Sequence, residues 1–130
     1  MKIVFDIEAN GLNPDKVWCI VAHILGTEEF FEFHGFSLYD FNEWLLGFDD
    51  CEVIGHNILG YDIPVLERLL GTDFSKCKIT DTLVLSRLAN PSREGGHSLG
   101  NWGALLGEPK GDYDDWDTFS TDMVEYCVQD

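Results

Sequence analysis

Hydrophobic and polar positions alternate at the start of the chain, where apolar residues fill the odd positions and the acids Asp6 and Glu8 fill even ones. This period of two predicts a β-strand over residues 2–8. An almost unbroken apolar run predicts a second strand, buried on both faces, over residues 17–25. A third strand is predicted over residues 28–34 after a turn. The chain is therefore expected to open as a meander of three strands.

Helices and strands alternate in the rest of the pattern. Helices are predicted over residues 38–46, 63–70, 82–88, 98–106 and from 120 to the end, and strands over residues 52–55 and from Ile79. Between the last two helices, residues 107–117 are rich in glycine and acids and predict a surface loop. This order indicates an α/β domain with a mixed five-stranded sheet flanked by helices.

Composition limits the number of domains and raises a question about partners. At 130 residues, with 45% of them hydrophobic, the chain is predicted to form a single domain over residues 1–130. Its formal charge is −16, from 24 acids against 8 Lys and Arg, whereas nucleic-acid binding normally depends on basic groups. Two explanations stay open: the carboxylates hold divalent cations that attract phosphate, or they form a highly acidic surface.

The absence of other sequence signals bears on location. No membrane-spanning stretch and no secretory signal is visible in the sequence, so we expect no membrane association and a cytoplasmic protein. The four cysteines are widely spaced and have apolar neighbours, so we interpret them as reduced, buried thiols.

Several acids stand where a metal site could form. Asp6 and Glu8 leave one face of the first strand, about 7 Å apart, although a solvent-exposed strand face would also explain them. Asp62 precedes a helix and by itself fits an ordinary N-cap. Asp130 lies four residues after Tyr126, on the helix face that also carries Met123. A buried carboxylate there needs a cation, whereas a frayed C-terminal turn in water does not.

Three segments in order resemble the exonuclease motifs of the DnaQ-like, or DEDD, superfamily. They read FDIEANGL from residue 5, GHNILGYD from residue 55 and YCVQD from residue 126. The segments DTLVLSRL from residue 81 and HSL from residue 97 further resemble the proofreading domain of phage family A DNA polymerases. Together these segments are spread over most of the chain, from residue 5 to residue 130, and their common order makes chance a poor explanation.

The resemblance implies a ribonuclease H-like fold and a magnesium-dependent 3′→5′ exonuclease. The implied ligands of two Mg²⁺ ions, for which Mn²⁺ should substitute, are Asp6, Glu8, Asp62 and Asp130. Tyr126, four residues before Asp130, implies the tyrosine subclass, in which the tyrosine orients the attacking water.

The implied substrate is the 3′ end of DNA, single-stranded or recessed, from which nucleoside 5′-monophosphates are released; RNA stays open. The resemblance places substrate contacts at Gly11, Leu12, Asn57 and Tyr61, with Leu12 as an apolar wedge against a base. It also implies a separate DNA polymerase as a partner.

One departure from the family bears on activity. The family's last helix usually continues for several turns beyond the final aspartate, whereas this chain stops at Asp130, so we expect weak metal affinity or a longer natural chain. Two alternatives remain: an exonuclease fold that has lost turnover and serves as an interaction domain, or an acidic mimic of nucleic acid.

Overall fold

The computed structural model describes residues 1–106, 123 and 126–128. Within them the chain forms a five-stranded sheet in the order β3-β2-β1-β4-β5. The strands are β1 (Lys2–Ala9), β2 (Val17–Ile24), β3 (Phe30–His34), β4 (Cys51–Gly55) and β5 (Cys77–Asp81). The first three strands pair antiparallel, whereas β4 pairs parallel with β1 and with β5. The predicted mixed sheet is confirmed, and β1 is its central strand.

Helices connect and cover the strands as the spacing predicts. They are α1 (Asp40–Leu46), α2 (Ile63–Leu70), α3 (Thr82–Ala89) and α4 (Leu99–Leu106). A 3-10 turn (Gly35–Tyr39) precedes α1, so its helical path begins earlier than predicted. Residues 123 and 126–128 are helical, in agreement with a final helix, while its predicted start at residue 120 and the predicted loop before it lie outside the described residues.

The two faces of the sheet bury different parts of the chain. Side chains of Ile3, Phe5 and Ile7 point into the main core, where they pack with residues of α1 and α2 such as Phe41 and Leu66. The other face carries a smaller cluster of four buried residues, Cys19, Val21, Met123 and Cys127. Because side chains alternate along a strand, this second face is also the face of Asp6 and Glu8. The final helix therefore lies against the acidic face of β1.

The cysteines depart from their prediction in one respect. All four are free, and Cys19, Cys51 and Cys127 are buried, but Cys77 is partly exposed because it lies on the edge strand β5. The sheet places Cys77 directly opposite Cys51, with their Sγ atoms 3.0 Å apart. Burial, followed by this contact, raises the pKa of the Cys77 thiol to about 12.

None of the helices in the described part of the chain has the length and apolar character that crossing a lipid bilayer requires.

Candidate active site

Asp6 and Glu8 lie side by side on the central strand, facing the final helix. Glu8 is only 8% exposed, and Asp6 is partly exposed. Oxygen atoms of both carboxylates and the Cys127 Sγ atom lie within 4.8 Å of one another. Two carboxylates this close together, one buried and one partly buried, repel each other unless a cation or a proton compensates. The interpretation of this pair as a solvent-exposed strand face is thereby excluded.

Asp62 reaches the same place from the turn that follows β4. The chain leaves β4 through a single turn of π-helix (Ile58–Asp62), and Asp62 precedes α2 without any side-chain capping hydrogen bond. It therefore is not the ordinary N-cap that its position suggests. Asp62 is 4% exposed, and its carboxyl group is hydrogen-bonded to the Ile7 backbone and to the Asp6 side chain.

The surroundings of Asp62 favour a proton or a cation at its carboxyl group. Its Oδ2 atom is buried and has no hydrogen-bond partner among the described residues. Burial, with a further contribution from the Asp81 charge, raises the pKa of the Asp62 carboxyl to about 7, against the hydrogen bonds that lower it. A buried acceptor in this state can accept a proton or coordinate a cation.

Asp81 holds the turn that carries Asp62, and reasoning from the sequence alone did not identify this role. Its carboxylate accepts hydrogen bonds from the backbone N–H groups of Asn57 at 2.8 Å, Leu59 at 3.0 Å and Leu83 at 2.9 Å. The last of these makes Asp81 the N-cap of α3. An aspartate between a strand and a helix predicts such a cap, but its bonds to residues 22 and 24 positions away are purely tertiary.

The predicted substrate contacts separate into two groups. Asn57 and Tyr61 line a cleft of about 810 Å³ together with Asp6, Glu8 and Asp62. Gly11 and Leu12 are not among the described residues that line this cleft. The Tyr61 hydroxyl nevertheless donates a hydrogen bond to the Gly11 carbonyl, which ties the loop after β1 to the turn of Asp62.

Leu12 is distinguished by its exposure, and Asn57 by its backbone conformation. Leu12 is 97% exposed, so the structure gives it no role in the core. Asn57 adopts a left-handed backbone with φ 60°, the conformation that lets the chain turn sharply out of β4.

The final helix brings Tyr126 and Cys127 to the acidic face. Tyr126 is half-buried and lines the same cleft as the three carboxylates. Cys127 is 2% exposed, and its Sγ atom lies 3.6 Å from the Asp6 carbonyl oxygen. A hydrogen bond with Cys19 and burial raise the pKa of the Cys127 thiol, which therefore stays protonated near neutral pH. Asp130, predicted as the fourth ligand, lies outside the described residues.

A hydrogen-bonded group fixes the loop that brings His97 to the cleft. His97 Nδ1 lies 2.6 Å from the Ser86 hydroxyl, which accepts a hydrogen bond from Trp102 Nε1 at 2.7 Å. His97 Nε2 lies 3.3 Å from the Pro91 carbonyl oxygen. Both ring nitrogens are thus engaged, which gives His97 a structural role.

Comparisons with known proteins identify relatives of the chain in sequence and in fold. No model of a protein family matches the chain. The chain is 31% identical to the DNA-directed DNA polymerase of Escherichia phage T7 and 30% identical to that of Enterobacteria phage T3, with 98% of the chain covered in each case. It spans only about a quarter of the length of these relatives, 25% of each. The T7 alignment runs over 177 residues, so the relative carries insertions within the matched region.

Solved structures share the fold at lower identity. Brucella melitensis NrnC with bound Mg²⁺ superposes with a TM-score of 0.72 at 21% identity, covering 99% of this chain and 65% of NrnC. The family B DNA polymerase of the archaeon Pyrobaculum calidifontis gives a TM-score of 0.70 at 18% identity, covering 99% of this chain and 23% of the polymerase. These likenesses confirm the fold that the three motifs imply.

Proposed function

We propose, given that this chain is a DnaQ-like exonuclease domain related to the exonuclease region of polymerases, that it is a divalent-metal-dependent 3′→5′ exonuclease acting on DNA. It would release nucleoside 5′-monophosphates by hydrolysis of the terminal phosphodiester. The observation that carries this proposal is the meeting of Asp6, Glu8 and Asp62 in one cleft with Tyr126.

The carboxylates that line the cleft are suitable ligands for Mg²⁺. Three carboxylates offer hard oxygen donors, which Mg²⁺ and Mn²⁺ prefer, and the buried Oδ2 atom of Asp62 offers a coordination position. We propose that Asp6, Glu8 and Asp62, with Asp130, hold two ions. Bound there, the metal would lower the pKa of the attacking water and stabilise the negative charge that develops on the leaving 3′-oxygen.

The protein's own groups would position the reactants. The Tyr126 hydroxyl can donate or accept a hydrogen bond and would orient the attacking water. Burial, then the charges of Asp62, Glu8 and Asp6, raise the pKa of Tyr61, so its hydroxyl stays protonated and keeps its bond to Gly11. That bond would hold Leu12 at the edge of the site, where its exposed side chain could wedge against a base.

DNA is the favoured substrate because the relatives in sequence are DNA polymerases. We propose that the domain edits 3′ ends for a DNA polymerase, and that single-stranded or recessed 3′ ends enter the cleft. Four free thiols fit a reducing compartment such as the cytoplasm. The same cleft would accept RNA unless contacts at the 2′ position exclude it.

A 5′-labelled single-stranded oligonucleotide tests the activity. We expect stepwise shortening with Mg²⁺ and none with EDTA. Asp6→Asn should reduce the rate to below about 1% of wild type, because a ligand at the centre of the cluster is lost. Asp49→Asn is the matched control, since Asp49 is exposed and lies outside the cleft.

The outcome also separates the alternatives. If calorimetry shows Mg²⁺ binding but neither DNA nor RNA is shortened, the domain serves interaction rather than catalysis. A mimic of nucleic acid would bind a DNA-binding protein equally well with and without Mg²⁺.

A further inference from the structure

Positive charge is scarce in this chain, and its placement is informative. The 8 Lys and Arg stand against 24 acids, yet a strand of DNA must approach the cleft past this acidic surface. Among the Lys and Arg residues that the structure describes, Arg87 is the one that lines the cleft with Asp6, Glu8 and Asp62.

Four other cations in the described residues have partners within the protein. Arg68 donates a hydrogen bond to the Pro14 carbonyl, and Lys78 pairs with Glu52 at 3.9 Å. Arg93 lies over the Trp102 ring and donates to the Gly96 carbonyl, and Lys16 lies over the ring of Trp18. By contrast, Arg87 is exposed and makes no hydrogen bond or ion pair with any residue in the described part of the chain.

The helix that carries Arg87 begins beside the carboxylates and leads away from them. Asp81, the N-cap of α3, bonds the turn that ends at Asp62. Leu83 and Arg87 are four residues apart, so they lie on one helix face, and both line the cleft. Arg87 is five residues beyond Thr82, which corresponds to about 7 Å along the helix axis. The backbone of Arg87 therefore lies more than one helical turn beyond the start of α3.

We propose that Arg87 binds a backbone phosphate of the substrate strand upstream of the scissile phosphodiester, an inference that rests on the proposed exonuclease function. A planar guanidinium matches phosphate oxygens with paired hydrogen bonds and keeps its charge at every working pH. His97 also lines the cleft and bonds Ser86, which precedes Arg87 on α3, and the Pro91 carbonyl, so this part of the cleft has a defined shape. Arg87 would thus hold the strand in register while its 3′ end lies among the carboxylates.

A simpler role is the alternative. Arg87 lies in the last turn of α3, where a positive charge interacts favourably with the helix dipole. In that case removing the side chain would change thermal stability slightly and leave substrate binding unaltered.

Two substrates distinguish these roles. One is a 5′-labelled single-stranded oligonucleotide; the other is the p-nitrophenyl ester of thymidine 5′-monophosphate, which has a cleavable phosphodiester but no upstream phosphate. We expect Arg87→Ala to raise KM for the oligonucleotide about tenfold with little change in kcat, because one charge-assisted contact is lost. Cleavage of the ester should stay within twofold of wild type.

Two further variants sharpen the test. Arg87→Lys keeps the charge but loses the paired geometry, so it should restore part of the affinity. The dependence of log KM on log salt should become shallower by about 0.7 in Arg87→Ala, the effect of one phosphate contact on a single strand. Lys76→Ala removes an exposed charge outside the cleft and should leave KM for both substrates unchanged.

The experiment distinguishes a failure of the Arg87 assignment from a failure of the proposed exonuclease function. If wild type cleaves both substrates but Arg87→Ala affects both equally, or neither, the assignment of Arg87 is overturned while the exonuclease function stands. If wild type cleaves neither substrate with Mg²⁺ or Mn²⁺, the proposed function fails, and the role of Arg87 fails with it.

Discussion

The carboxylate of Asp81 accepts a hydrogen bond of 2.8 Å from the backbone N–H of Asn57, across 24 residues of sequence. Among the described residues other than glycine, Asn57 alone has a positive φ angle. It starts the turn that ends at Asp62. Since the same carboxylate caps α3, one side chain fixes the turn relative to the helix. The position of Asp62 therefore depends on Asp81, a residue to which we assign neither metal binding nor substrate binding.

Replacing Asp81 by alanine should damage both stability and activity. Three backbone N–H groups lose their acceptor, so we expect the free energy of unfolding in urea to fall by about 3 kcal/mol. The rate per folded molecule should fall about 100-fold, because a shift of about 1 Å in Asp62 misplaces the site. Asp81→Asn keeps one oxygen acceptor and should be intermediate. A folded Asp81→Ala protein with wild-type activity would contradict this positioning role.

Local pattern was enough to predict β1 and its two acids, because alternation along one strand determines which side chains share a face. The order of strands and helices along the chain was enough to predict the mixed sheet. By contrast, the turn from Ile58 to Asp62 depends on contacts with Asp81, which no local pattern reports. The three motifs supplied Asp62 by resemblance, and the role of Asp130 stays a prediction.

Asp62→Asn should separate the stability of the protein from its function. The substitution removes a buried charge beside Asp6 while keeping the shape of the side chain. In EDTA at pH 8 we expect the free energy of unfolding to rise by about 1 to 2 kcal/mol, because repulsion among the carboxylates falls. Chemical denaturation with EDTA and with Mg²⁺ measures this effect.

Magnesium should reverse the order of the two proteins. Binding to the folded state stabilises wild type by mass action, and Asp62→Asn should gain less because it has lost a ligand. Nuclease activity should also be lost in the variant. Equal stabilisation of both proteins by Mg²⁺ would show that Asp62 does not contact the metal.

Tyr61→Phe should loosen the loop that carries Leu12. The hydroxyl bond to the Gly11 carbonyl is lost, at a cost of about 1 kcal/mol in unfolding free energy. If Leu12 wedges against a base, KM for an oligonucleotide should rise several-fold, and Leu12→Ala should raise it similarly. Because Leu12 is 97% exposed, its replacement should leave the melting temperature unchanged. An unchanged KM in both variants would remove the wedge assignment.

Two glycines in the second motif should respond to alanine in opposite ways. A Cβ atom at Gly55 would overlap Ile58 Cγ2 and would lie 3.0 Å from the Phe5 carbonyl oxygen, so both the packing and the strand backbone resist it. A Cβ atom at Gly60 would meet the Asn57 Oδ1 atom at 2.6 Å, the end of a side chain that can rotate away. Gly55→Ala is therefore expected to lower the free energy of unfolding by about 2 kcal/mol.

Gly60→Ala should instead fold with near wild-type stability but with a displaced Asn57 amide. If this amide contacts the terminal nucleotide, KM for an oligonucleotide should rise by about as much as it does in Asn57→Ala, since both remove the same contact. Combining the two substitutions should then add little, which a double-mutant cycle measures directly. Additive effects of the two substitutions would show that Gly60→Ala acts through the backbone of the turn, and Asn57 would lose its assignment as a substrate contact.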